Sequence, residues 1–151
     1  MSTPTSSAIA AKPRLAASRS DTWRTGLLSI AVALLANLLV LGLARLAGAD
    51  MQVRPDPTVA AMTIGIGLVA VSTALPMLLA TVALLALRRW GPRARHALAW
   101  TGLAVGLATV PVPFTMVSEA NTQAALALMH VVTGLSWFVV VRRSVRARED
   151  G

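Results

Sequence analysis

Four stretches of the chain contain no Asp, Glu, Lys or Arg, and each is 20 residues or longer: Thr25 to Ala44, Pro57 to Leu87, His96 to Ser118, and Ala120 to Val141. About 20 helical residues cover a hydrocarbon core of roughly 30 Å. Hydrocarbon offers the backbone no water to bond, so each stretch must satisfy its own N–H and C=O groups as a helix. A membrane β-barrel would show segments of about 10 residues alternating apolar and polar, and nothing here alternates. Composition agrees, since 56% of the residues are hydrophobic and only 13% charged, where a soluble domain carries about a quarter. The expectation is an all-α integral membrane protein: four transmembrane helices (24–46, 59–88, 96–117 and 123–143) joined by short loops in an antiparallel bundle.

Charge then orients the bundle. Twelve cations lie beside one set of helix ends: Lys12, Arg14, Arg19 and Arg24; Arg88, Arg89, Arg93 and Arg95; Arg142, Arg143, Arg146 and Arg148. The other set has only Arg45 and Arg54, beside Asp50, Asp56 and Glu119. Cytoplasmic loops carry the excess of cations, so both termini are expected inside a multi-pass protein of the cell membrane. Residues 1–22 read as a disordered cytoplasmic tail, 23–143 as the transmembrane domain, and 144–151 as a short cytoplasmic tail. Ala47-Gly48-Ala49 has the look of a signal-cleavage site, but the apolar run before it is longer than the ~7–15 residues of a signal peptide and ends in Arg45. The first helix is therefore expected to stay.

The net charge of +8 would suggest nucleic acid in a soluble protein. Here the cations flank apolar spans instead of sharing one face with a recognition motif, so the expected partners are anionic lipid head groups and no nucleic acid. The chain has no cysteine, which removes disulfides, thiolate metal sites and thiol catalysis. No metal-ligand or catalytic set stands out, and no cofactor is implied.

A basic Ser/Ala/Pro-rich start leads into Trp23-Arg24-Thr25-Gly26-Leu27, then Ala36-Asn37-Leu38 in the first span. A short loop around Val53-Arg54-Pro55, an Arg-rich central loop and Leu126-Ala127-Leu128-Met129-His130 follow. Together, from about Trp23 to Val141, these resemble a family of small four-helix membrane proteins from actinobacteria classed as a domain of unknown function. The resemblance implies a fold and a membrane location, and no activity.

A few residues could carry more than packing. Asn37 and His130 both fall in the outer half of the bilayer, His130 roughly 10 Å below the boundary at 1.5 Å per residue. Polar groups at such depth face the bundle interior, where they glue helices together or line a path. Since the first and last helices of a closed bundle are neighbours, the two side chains are expected to meet. Arg45 and Glu119 mark a candidate outer vestibule. Pro76 is expected to kink the second helix, and Pro111 and Pro113 the third, by removing N–H donors. Gly102 and Gly106 form a small-xxx-small face for close helix packing. A membrane enzyme would want a carboxylate pair, a histidine cluster or an activated nucleophile, and one buried histidine supplies none. The expected role is a non-enzymatic membrane component that packs with itself or a partner membrane protein. A small transporter or channel subunit with a polar outer-half cavity is the alternative.

Overall fold

The computed structural model describes residues 18–149, with side chains as far as Ala147. The first 17 residues, with Lys12 and Arg14, and the last two lie outside the described residues, as does the side chain of Arg148. Helix α1 spans Arg19–Leu46 and so begins earlier than expected, taking residues assigned to the tail. The cause is local. Ser18 is extended, and its side-chain oxygen accepts the Asp21 N–H at 3.1 Å, while the Asp21 carboxylate favours the positive end of the helix. At the far end Gly48 takes φ +86 and Ala49 N–H reaches back to the Ala44 carbonyl at 3.0 Å, a left-handed stop that suits glycine.

A small hairpin follows, which the all-α expectation did not contain. β1 (Gln52–Val53) pairs antiparallel with β2 (Met62–Thr63). Arg54 and Val117 exchange backbone hydrogen bonds of 3.0 and 2.9 Å, which ties the hairpin to a loop far along the chain. The hairpin uses up the front of the long uncharged stretch, so α2 starts late and covers Ile66–Ala86. Pro76 lies inside it, and the helix runs on past it.

A 3-10 helix (Leu87–Trp90) and Gly91 at φ +82 lead into α3, Gly91–Ala108. α3 ends ahead of the proline pair, and a second 3-10 helix covers Val112–Thr115. The reason is hydrogen-bond supply. Neither proline can donate to the carbonyls of Leu107 and Thr109, so Val110 N–H takes the first at 3.2 Å and Val112 N–H the second at 3.1 Å. Pro113 is buried and Pro111 exposed. The last helix, α4, covers Ala120–Glu149.

α1 packs along both α2 and α4, and α4 along α3, whereas α2 and α3 make few contacts with each other. Gly26 lies against Thr81 while Asn37 meets Thr73, so α1 and α2 run in opposite senses. Gly106 beside Gly134, with Arg95 bonded to Ser144, gives the same for α3 and α4. The interior holds two apolar clusters. One, around Leu41, Met51, Val69 and Met129, lies by the hairpin; the other includes Ile30, Ala33, Leu84, Trp137 and Val141. Outward faces are also apolar, with Leu35, Leu39, Leu43 and Leu79 exposed. Three helical segments are long and apolar enough to cross a membrane: Arg19–Leu46, Ile66–Thr115 and Ala120–Ala147.

Candidate functional site: an open groove between two helices

Where α2 and α3 stand apart, a groove of about 610 Å³ remains, floored by α1 and α4. Its lining includes Leu68, Pro76 and Ala80 of α2, Leu98 and Val105 of α3, and Trp137 of α4, with no Asp, Glu, Lys or Arg. The volume falls within the ~300–1,000 Å³ of typical small-molecule sites. Gly102 and Gly106 help shape one wall. A methyl group added at Gly106 would lie 2.8 Å from Gly134 Cα, and one at Gly102 would strike Trp137. Both glycines therefore let α3 and α4 approach within the chain.

Most of the polar groups in the lining are already engaged on their own helices. Thr109 donates to carbonyls one turn back at 2.9 and 3.0 Å, Thr101 to Ala97 at 3.0 Å, and Ser72 to Val69 at 3.3 Å. Asn37 spans three helices instead. Its Nδ2 donates to Thr73 Oγ1 and to Thr133 Oγ1, both at 2.9 Å. The Thr133 hydroxyl gives its one proton to the Met129 carbonyl at 2.8 Å, so it can only accept from Asn37, which sets the orientation of the amide. Asn37 lines the groove, and its Oδ1 is left buried with no hydrogen bond.

His130 also lines the groove but does not bond Asn37. Its Nδ1 lies 2.7 Å from the Leu126 carbonyl. A carbonyl can only accept, so Nδ1 carries the proton and the neutral ring keeps Nε2 as an acceptor. Asn37 meets α4 three residues further along, at Thr133. Thr73 and Thr133 were not singled out in the sequence; threonines in apolar spans usually bond their own helix, and only the third partner, Asn37, distinguishes these two.

Of the outer-belt residues, Glu119 joins Asp50 and Arg54 around a separate pocket of about 290 Å³. Arg45 instead gives its guanidinium to the Ile64 carbonyl at 3.1 Å, bracing the hairpin. Asp56 is fully exposed and accepts from the Thr58 hydroxyl at 2.6 Å and its N–H at 2.8 Å, bonds that hold its carboxyl below the ordinary value. At the opposite end Arg95 is buried against Ser144, and the Arg142 guanidinium stands 5.2 Å from the Phe138 ring centre and 5.9 Å from that of Trp100. Among the described residues no three of His, Cys, Asp or Glu are grouped as a metal site would need.

The described residues thus form a mainly helical fold with apolar, membrane-compatible segments, cut by an uncharged lateral groove. The chain belongs to the Family of unknown function (DUF6069), whose pattern matches residues 17–147. No curated protein and no solved structure matches the chain.

Proposed function

We propose that this protein is a non-enzymatic component of the cell membrane that crosses the bilayer four times, keeps both termini in the cytoplasm, and holds a guest in the α2–α3 groove. The groove is the observation that carries the reading. It is open, apolar and uncharged, and it lies between helices whose outer faces are themselves apolar, so its contents come from the bilayer and not from water. Four crossings are supported by the middle apolar segment, in which α2 packs on α1 and α3 on α4 with Gly91 in a left-handed turn between them. The excess of cations beside the termini and the α2–α3 turn supports the orientation. A lone histidine without a nearby carboxylate gives no acid–base pair, which favours a binding role over catalysis. Anionic head groups at the cytoplasmic face suit the exposed arginines, and nucleic acid has no evident surface. A transporter or channel subunit is the second reading, favoured by the accessible acceptor on His130. A helix from a second copy or from a partner membrane protein is the competing occupant.

Because the chain lacks cysteine, single cysteines report cleanly. Ser72→Cys and Thr101→Cys, on opposite groove walls, should each react with a lipid-soluble maleimide, and the double variant should give little intramolecular disulfide. Rapid, complete cross-linking would mean a shut groove and would defeat the proposal. A reporter fused at the C-terminus should score as cytoplasmic and one inserted near Asp56 as external; the reverse pattern would overturn the orientation.

A further inference from the structure

Among the described residues, His130 of the groove lining has a ring nitrogen that bonds no protein group. We infer that the groove binds a neutral, single-chain lipid alcohol, whose hydroxyl donates to His130 Nε2 while its chain lies between α2 and α3; this rests on the groove being the guest site proposed above. His130 lines the groove, and its Nδ1–H is committed to the Leu126 carbonyl 2.7 Å away. His130 is half-buried, and its other ring nitrogen, Nε2, has no hydrogen-bond partner among the described residues. A donor is the complement of a bare imidazole nitrogen. Asn37 Oδ1 also lacks a donor, but that atom is buried and offers a guest almost no surface. The anchor is therefore His130 and not the asparagine.

Charge and size narrow the class. No charged residue lines the groove, and an ion taken there would lose hydration with no fixed counter-charge to replace it. That argues against a phosphate head or an ammonium at this depth and leaves oleate, whose proton His130 could take, as the probe that tests the neutral class. About 610 Å³ suits one chain with a compact head. The donors of Ser72, Thr101 and Thr109 are spent on their own helices, so the walls offer a guest no free hydroxyl proton, and most of its chain meets apolar surface.

The test uses the full chain in detergent micelles, with oleyl alcohol as probe and oleyl methyl ether as the same chain without a proton to give. Binding is read by native mass spectrometry against probe concentration. The alcohol should bind about tenfold tighter than the ether, the size of one neutral hydrogen bond in a dry site. His130→Phe keeps the volume and the apolar lining, and should bring the alcohol down to the ether's affinity while leaving the ether unchanged. Equal binding of alcohol and ether to the unmodified chain would overturn the hydroxyl assignment and leave the groove as a guest site. Tighter binding of oleate than of the alcohol would overturn the neutral class. If neither neutral probe binds while the groove cysteines stay reactive, the inference falls; if those cysteines also prove shut away, the groove reading falls with it.

Discussion

The α3–α4 seam and the α2–α3 gap are both built from helices with long apolar stretches, yet the first closes to backbone contact and the second stays open. At the seam, Gly106 faces Gly134 and Gly102 receives Trp137. At the gap, the α2 wall offers Leu68, Ser72, Pro76 and Ala80 to an α3 wall that includes Val105 and Thr109. In a bilayer, lipid tails solvate leucine as well as another helix does, so apolarity alone draws nothing together. Small residues that let backbones approach decide which helices meet, and α1 follows the same rule where Gly26 admits Thr81.

The sharpest way to break this contrast is to fill the seam. Gly106→Leu should lower stability by more than ~3 kcal/mol and Gly106→Ala by about 1–3, because the added carbon meets backbone that cannot step aside. Gly42→Ala, on a face of α1 with nothing within 4 Å, should be neutral or gain up to about 1 kcal/mol from helix propensity. Thermal unfolding in detergent compares all three. Similar losses at Gly106 and Gly42 would remove the distinction between seam and open face.

A smaller effect should come from the polar floor. Thr73→Val strands one Asn37 amide hydrogen and should cost about 1 kcal/mol. Replacing Asn37, Thr73 and Thr133 together by Leu, Val and Val should cost less than the sum of the single changes, since no buried group is then left waiting. Strict additivity would show that the three do not act as a unit.

The smallest effect should appear in the hairpin. Asp56 has a depressed carboxyl value through its bonds to Thr58, so the ionised form is favoured in the folded turn. That contribution is in place above the ordinary carboxylate value and is lost as pH falls through the depressed one. The protection of the Thr58 amide, taken relative to its intrinsic exchange rate at each pH, should fall across that acid range while the protection of α1 amides holds; an equal fall in both would contradict a local origin.

The charge-free runs made the apolar helices legible in the sequence, because a missing charge is visible one residue at a time. The hairpin was not legible: its strands are two residues each, too short to show an alternating pattern, and no local pattern announces the distant bridge between Arg54 and Val117. The polar site was half legible. Asn37 and His130 stood out as polar residues in apolar spans and do share the groove, but counting residues from assumed helix ends set them level. α4 instead offers Thr133 to Asn37. Gly102 and Gly106 were visible as a spacing, whereas their partner Gly134 was visible only once α4 had a direction.

Asn37 also carries a consequence for how the chain is made. The hydrogen bond from Asn37 to Thr133 joins residues 96 positions apart, while the bond to Thr73 becomes available far sooner. During synthesis the first helix pair therefore exists for an interval with one amide hydrogen unmet, until the last helix arrives. A chain halted after α3 displays an unfinished polar spot on α1, a mark by which quality control could tell an incomplete product from a finished one.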